Sequence, residues 1–102
     1  MQVIKITTGI GEGRDGKPLK GINKKLDTVR KHLGQTFGGY TEVKTFGGWV
    51  NDKGKLIQEN TRTYEIGTNA KRGTIIAASA KVRDVMQQQC VAVTINNKME
   101  MV

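Results

Sequence analysis

Five apolar residues recur at helical spacing in the first half of the chain. Successive members are four, three, four and four positions apart, which places them on one stripe of an amphipathic helix; they are Ile22, Leu26, Val29, Leu33 and Phe37. The pair Gly38-Gly39 supplies a left-handed residue that ends the helix. A helix with one apolar stripe needs a sheet or another helix on which to bury it, so the rest of the chain must provide one.

Segments rich in β-branched residues lie on both sides of this helix. Residues 1–8 alternate between polar and apolar positions and predict a strand. Residues 40–50 and 55–66 have the same character, and the turn sequence Asn51-Asp52-Lys53-Gly54 between them predicts a long β-hairpin. Gly47-Gly48 interrupts the first arm and predicts a bulge or a close backbone approach.

A second helix and a last strand complete the pattern. Thr68 or Asn69 is expected to cap a helix that ends near Gln88 and carries a second apolar stripe, formed by Ile75, Ala78, Val82 and Val85. The apolar run 90–95 predicts a central strand in which Cys90 is a small core residue. Residues 98–102 predict a short additional strand.

The resulting order, β-α-β-β-α-β, predicts the α+β class with a ferredoxin-like arrangement. Two helices cover one face of an antiparallel sheet, and a long hairpin joins the second and third strands. The 102 residues predict a single domain, 1–102. Because the other sheet face has no helix, we expect copies of the chain to associate through it.

The composition excludes several classes of site. With one Cys and one His, the chain can form no internal disulfide, and no metal site is expected. No Ser-His-Asp constellation or paired-carboxylate motif can be assembled. No apolar run approaches the ~18–20 residues of a membrane span, and the N-terminal residues lack a signal-peptide pattern, so we expect a cytoplasmic protein without membrane contact.

The net charge of +8 is unevenly distributed along the chain. Residues 1–34 hold eight Lys or Arg and three acids, residues 35–68 hold four of each, and residues 69–102 hold five and two. Such a charge is typical of proteins that bind phosphate, so a nucleic-acid-binding module remains an alternative. It is not favoured, because no long run of like charge occurs and the aromatic residues are not interleaved with the basic ones.

The segment Gly11-Glu12-Gly13-Arg14-Asp15-Gly16 matches the G-x-G-x-x-G pattern of phosphate-binding loops. However, Lys17-Pro18 follows, where a P-loop has Lys followed by Ser or Thr, and further residues separate the glycines from the helix. A flexible surface loop is therefore favoured over a lid or an anion-binding loop.

Glu59 lies among polar residues in the second arm of the hairpin. A carboxylate on a sheet beside Trp49 or Tyr40 could hold a ribose diol, an amine or a sulfonium cation. Alternatively, Glu59 is an exposed strand residue paired with Arg62 or Lys44. Residue type alone favours this second interpretation.

Across residues 25–95 the chain resembles the phage-encoded S-adenosylmethionine lyases, small proteins of PII-like, ferredoxin-type fold. The motifs that carry the resemblance are Leu26-x-x-Val29-Arg30-x-x-Leu33, Phe37-Gly38-Gly39-Tyr40-Thr41, Gly47-Gly48-Trp49, Gly54-x-x-x-x-Glu59 and Gln88-Gln89-Cys90-Val91-Ala92-Val93. The resemblance implies a homotrimer in the host cytoplasm, with active sites between subunits, that degrades S-adenosylmethionine and so counteracts restriction that depends on this compound. In such enzymes the substrate's own carboxylate displaces methylthioadenosine and closes to homoserine lactone, so neither a general base nor a cofactor is needed.

The resemblance also implies roles for individual residues. Glu59 matches the essential glutamate, whereas Trp49 stands where the lyases have a functional tyrosine, whose hydroxyl an indole cannot replace. These two are the expected catalytic positions. The expected substrate-binding residues are Tyr40, which matches a tyrosine that opens the hairpin, Gln88, which matches a glutamine before the last strand, and Thr41, Thr45 and Gln58.

A second alternative is a non-catalytic, PII-like trimer that binds or sequesters a nucleotide. The net charge favours this alternative, because a cationic sulfonium gains nothing from a basic protein. The lyase and the sequestering protein share one class of ligand, S-adenosylmethionine or another adenosine-containing small molecule.

Overall fold

The computed structural model describes all residues, Met1–Val102, and contains two helices and one antiparallel sheet. The elements in chain order are β1 (Gln2–Gly9), α1 (Ile22–Phe37), β2 (Thr41–Val50), β3 (Leu56–Thr68), α2 (Arg72–Val85), β4 (Ala92–Ile95) and β5 (Lys98–Met101). The strands lie in the order β2-β3-β1-β4-β5. This is the predicted ferredoxin-like arrangement of the α+β class, extended at one edge by β5.

The hydrophobic core lies between the two helices and one face of the sheet. Alternate residues of each strand point to this face, and both predicted helical stripes supply its other side. The buried members of the stripes are Leu26, Val29 and Leu33 of α1 and Ile75, Ala78 and Val82 of α2. The residues at the ends of the stripes, Ile22, Phe37 and Val85, are only partly buried.

The two helices differ in how their ends are formed. α1 ends as predicted, with Gly38 in the left-handed region at φ 84° and its N–H donating to the carbonyl of Gly34. The prediction that Thr68 or Asn69 caps α2 is wrong, because the helix begins at Arg72 and has no side-chain cap. The Thr68 hydroxyl instead accepts a hydrogen bond from the Ala70 N–H at 2.9 Å and stabilises the turn between strand and helix.

The long hairpin is regular along its whole length. Pairing of β2 with β3 runs without interruption from Thr41 opposite Glu65 to Val50 opposite Leu56, so the bulge considered at Gly47-Gly48 does not form. The close approach does occur, since a Cβ on Gly48 would lie 3.3 Å from the carbonyl oxygen of Ile57. The absence of a side chain at Gly48 therefore permits this approach, and the register is unchanged.

The helix-free face of the sheet carries several exposed apolar side chains, including Val3, Val43, Trp49, Met99 and Met101. The half of the hairpin nearer its turn, residues 46–60 and here called the hairpin tip, adds Phe46, Val50 and Leu56. Cys90, predicted to be a core residue, is exposed. It precedes β4, and the alternation of that segment buries Val91 and Val93 instead. Neither helix is long and apolar enough to span a membrane.

Candidate ligand site on the helix-free face

Two polar side chains from distant parts of the sequence meet over the backbone of Gly9. A Cβ at Gly9 would lie 2.6 Å from Oε1 of Gln88 and 3.1 and 3.2 Å from the two carboxylate oxygens of Glu59. These three oxygens are the nearest heavy atoms to that point. The missing side chain of Gly9 thus leaves room in which Glu59 and Gln88 face each other.

The strand register explains how Glu59 reaches this position. Gly9 pairs with Thr61, and Glu59 lies two residues before Thr61, so its side chain is on the same helix-free face. On the other side of β3, Glu59 is opposite Gly47, which has no side chain to cover it. Glycines on both neighbouring strands therefore leave the carboxylate accessible.

Gln88 reaches the site through a tight turn at the end of α2. The N–H groups of Gln87 and Gln88 donate to the carbonyls of Asp84 and Arg83, and Gln87 takes a positive φ of 53°. The Gln88 amide nitrogen then donates to two main-chain carbonyls, those of Met86 and Glu12, both at 2.8 Å. The amide nitrogen thus holds the side chain against the turn and against the Gly-rich loop that contains residues 11–16.

Glu59 is a half-buried carboxylate without an ion-pair partner. Burial raises its pKa above the ordinary value, and the negative charge of Glu12 raises it further. The pairing with Arg62 or Lys44 considered from the sequence does not form. Both basic residues occupy the alternate positions of their strands and point to the other face.

A row of threonine hydroxyls continues from Glu59 along the same face. Thr45 hydrogen bonds to Thr61 at 2.6 Å and to Thr63 at 3.0 Å, and Thr63 hydrogen bonds to Thr7 at 2.8 Å. Four hydroxyls thus share three hydrogen bonds, and at least one O–H remains to donate to a ligand. Thr45, predicted as a binding residue, lies in this row.

Trp49 lies on the same face as Glu59 and beyond the gap at Gly47. It is opposite Ile57, two residues before Glu59 on β3, and its side chain is 49% exposed. An indole at this diagonal position can cover a ligand bound at the carboxylate. The structure therefore brings together four of the predicted residues, Glu59, Gln88, Thr45 and Trp49.

The other three predicted residues lie elsewhere within one chain. Gln58 follows the strand alternation and points to the opposite face of the hairpin. Tyr40 and Thr41 lie at the far end of β2, where they line a shallow depression together with Phe37, Glu65 and Gly67. Any contact of Tyr40 or Thr41 with Glu59 would have to come from a second copy of the chain.

Several residues of this site carry no strong signal in the sequence. Gly9 follows the predicted strand 1–8 directly, and only its position after a β-branched segment indicates a close approach. No motif marks Thr7, Thr61 and Thr63 as site residues, because threonine is common in strands. No group of three or more His, Cys, Asp or Glu residues is placed to hold a metal ion.

The fold and the position of this site define a ferredoxin-like protein with a cluster of polar side chains on its uncovered sheet face. No protein-family model matches the chain, and no curated protein matches it in sequence. Two solved structures do match in fold. One is a phage SAM lyase in complex with S-methyl-5'-thioadenosine, with a TM-score of 0.71 and 18% identity over 99% of this chain and 88% of that one.

The second is a phage SAM lyase in the apo state, with a TM-score of 0.74 and 17% identity over 99% of this chain and 87% of that one. The resemblance predicted from the motifs is thereby confirmed as a shared fold that spans the whole chain. At 17–18% sequence identity, this similarity shows a shared backbone fold.

Proposed function

We propose that this protein is a SAM lyase that converts S-adenosylmethionine into methylthioadenosine and homoserine lactone. The observation that carries the proposal is the unpaired, half-buried carboxylate of Glu59, which lies beside Gln88 on an uncovered sheet face. The similarity in fold to phage SAM lyases, one of them solved with S-methyl-5'-thioadenosine, supports the same class of ligand.

The reaction requires little chemistry from the protein. A carboxylate oxygen of the substrate attacks its own γ-carbon, while the bond from that carbon to the sulfonium breaks and its electron pair returns to sulfur. The products are a lactone and a neutral thioether, and no proton is transferred. Holding the two groups in line can contribute about 7–11 kcal/mol at best, so folding of the substrate is the main task.

In this mechanism Glu59 holds the positively charged or hydroxylated part of the substrate, and Gln88 and the threonine row orient it. Trp49 covers the sulfonium, to which an aromatic face offers cation–π attraction. A carboxylate that holds the substrate without taking a proton agrees with the absence of a general base nearby. It also explains why Glu59 has no Lys or Arg partner in a chain with a charge of +8.

We also propose that three copies assemble and that each site is completed by a neighbour. The exposed apolar side chains of the helix-free face and of the hairpin tip support this, because a monomer rarely leaves so many in water. Tyr40 and Thr41, which are remote from Glu59 within one chain, would then be supplied by the adjacent subunit. In a phage-infected cell, the cytoplasmic trimer would deplete S-adenosylmethionine and counter restriction that depends on it.

A second candidate is a trimer that binds an adenosine-containing ligand without turnover. Trp49 favours it, because the indole lacks the hydroxyl of the tyrosine that the resemblance places there. One experiment separates the candidates: purified protein is mixed with S-adenosylmethionine, and the products are separated by chromatography. A lyase yields methylthioadenosine and homoserine lactone in equal amounts, whereas a sequestering protein returns the intact ligand after denaturation.

A nucleic-acid-binding protein would release neither product. Its affinity for nucleic acid would fall steeply with salt concentration, because bound phosphates release counterions. Salt-dependent retention of a labelled oligonucleotide, without any change in S-adenosylmethionine, would therefore favour this alternative over both others.

A further inference from the structure

The Gly-rich loop between β1 and α1 is built into the site through Gln88. It forms a small hairpin in which Glu12 pairs with Pro18, the Gly13 N–H donates to the Lys17 carbonyl, and the Leu19 N–H donates to the Gly11 carbonyl. The Arg14 N–H donates to the Gln87 carbonyl at 2.6 Å. The loop is therefore fastened to the turn after α2 at two points, Gln87 and Gln88.

This attachment fixes the orientation of the Gln88 amide. Its two contacts at 2.8 Å are both with carbonyl oxygens, those of Glu12 and Met86, and a carbonyl can only accept a hydrogen bond. The amide nitrogen must therefore point to them, and it uses both of its hydrogens there. Oε1 is left pointing to the space over Gly9, beside the carboxylate of Glu59.

The space over Gly9 consequently has a defined polarity. The three atoms nearest to it are Oε1 of Gln88 and the two carboxylate oxygens of Glu59, all of which are hydrogen-bond acceptors when Glu59 is ionised. Glu59 forms no ion pair with any Lys or Arg. A group placed here must supply hydrogens or positive charge, because another acceptor or an anion would leave all of these oxygens unpaired.

We propose that Gly9, Glu59 and Gln88 form an acceptor-only subsite, oriented by the Gly-rich loop, that takes an uncharged or cationic hydrogen-bond donor of the ligand and excludes anionic groups. The inference deepens the proposed function and rests on it for the class of ligand. S-Adenosylmethionine offers three such donors, its ammonium group, its ribose diol and its adenine amino group. The net charge of the chain predicts the opposite preference, attraction of anions, so the two expectations can be told apart.

The experiment uses small probes and does not depend on turnover. S-Methylmethionine carries an ammonium and a sulfonium without a nucleoside. Methylthioadenosine carries the ribose diol and the adenine amino group without an ammonium, and sulfate carries only acceptors. Binding of each probe to the full-length protein is measured by calorimetry, for the wild type and for Gly9→Ala. The new methyl group would occupy the subsite, 2.6 Å from Oε1 of Gln88.

Gly11→Ala is the matched control. Neither glycine has a positive φ, and a Cβ at Gly11 meets nothing within 4 Å. The control therefore makes the same chemical change in the same segment without entering the subsite. Gln88→Met is a second variant, which removes the acceptor oxygen while keeping the length of the side chain.

We expect at least one donor probe to lose about tenfold or more in affinity in Gly9→Ala and in Gln88→Met, and to be unaffected in Gly11→Ala. The probe that responds identifies the donor as the ammonium group or as a donor of the nucleoside. Sulfate binding should be the same in all four proteins. The inference is overturned if neither donor probe depends on Gly9, or if sulfate binding does.

The orientation of the Gln88 side-chain amide can be tested separately, by hydrogen exchange. In protein labelled with ¹⁵N-glutamine, the side-chain NH₂ hydrogens of Gln88 should exchange with solvent at least about tenfold more slowly than those of exposed Gln58, because both are hydrogen bonded. Equal exchange would contradict the assignment. If no lyase products form but a donor probe binds in a Gly9-dependent manner, the proposed function fails and the subsite remains.

Discussion

Arg30 of α1 and Glu42 of β2 are joined by two parallel hydrogen bonds, from Nε to Oε1 at 2.9 Å and from the second terminal nitrogen to Oε2 at 3.0 Å. Asp27, one turn earlier on α1, accepts a third hydrogen bond from the same guanidinium at 2.8 Å. This bidentate ion pair fastens the first helix to the edge strand of the sheet. A planar guanidinium can make such a contact and an ammonium cannot.

Arg30→Lys should therefore lower the free energy of unfolding by about 1–2 kcal/mol at pH 7. The measurement is urea denaturation followed by circular dichroism. Lys5→Arg is the control, because Lys5 meets Glu65 only at 3.9 Å and both side chains are exposed. An Arg30→Lys protein as stable as the wild type would contradict a structural role for the pair.

The same pair predicts a loss of stability in acid. Arg30 lowers the pKa of Glu42 below its ordinary value, so the folded state binds this proton less readily than the unfolded state does. The stabilisation is fully present above the unfolded pKa of Glu42 and is lost as the pH falls through its lower, folded value. The free energy of unfolding of wild type and Glu42→Gln should be measured between pH 7 and pH 2. The difference between the two proteins should shrink in acid, and a difference that stays constant would contradict the lowered pKa of Glu42.

The effect of Glu59 on stability should depend on pH in the opposite sense to that of Glu42. Burial raises the pKa of Glu59, so the folded state binds this proton more readily than the unfolded state does. The buried charge therefore destabilises the folded protein above the folded pKa, and this cost disappears as the pH falls through that pKa. We expect Glu59→Gln to equal or exceed the wild type in stability at pH 7, by less than about 1 kcal/mol, and to lose this advantage in acid. Urea midpoints at pH 7 and pH 4 test this.

Asp52→Asn makes the same chemical change at an exposed turn residue and serves as the reference for Glu59→Gln. A Glu59→Gln protein that is markedly less stable than the wild type at pH 7 would mean that the carboxylate has a structural partner. It would then no longer qualify as a group free to bind a ligand.

The protein is expected to be a trimer in solution. Light scattering coupled to size exclusion should give three times the chain mass of 11.2 kDa. Val43→Lys, on the helix-free face, should shift the mass toward the monomer, because it places a charge in the proposed interface, whereas Lys31→Glu on α1 should not. A wild-type protein that remains monomeric at high concentration would contradict the trimer.

Trp49 offers a test of the chemistry itself. If a tyrosine hydroxyl serves the reaction at this position, as the resemblance implies, Trp49→Tyr should raise kcat by about tenfold or more, whereas Trp49→Phe should not. Rates of methylthioadenosine formation measure both. Equal rates for the Tyr and Phe variants would show that the hydroxyl is not needed at this position.

Much of the fold could be predicted because it follows from local periodicity. The stripe from Ile22 to Phe37 has helical spacing, and Gly38 adopts the left-handed conformation that such a position requires. The cap of α2 could not be predicted in the same way. Thr68 is a good capping residue by type, but its hydroxyl is used by the turn that leads from β3 into the helix.

The candidate site was only partly predictable, because it depends on contacts between residues far apart in sequence. Glu59 and Gln88 were identified by resemblance to a family, but their meeting over Gly9 depends on the register of β1 with β3 and on the turn after α2. The exposure of Cys90 was likewise not predictable from the sequence pattern. An apolar run does not reveal which of its alternate residues face the core, and here those are Val91 and Val93.

The proposed lyase activity is tested most sharply by how turnover of S-adenosylmethionine depends on Glu59. Wild type, Glu59→Gln and Asp52→Asn are each mixed with S-adenosylmethionine, and methylthioadenosine and homoserine lactone are quantified over time. We expect equal amounts of both products from wild type and Asp52→Asn, and a loss of about a hundredfold or more in rate for Glu59→Gln. Unchanged turnover in Glu59→Gln, or no products from the wild type, would contradict it.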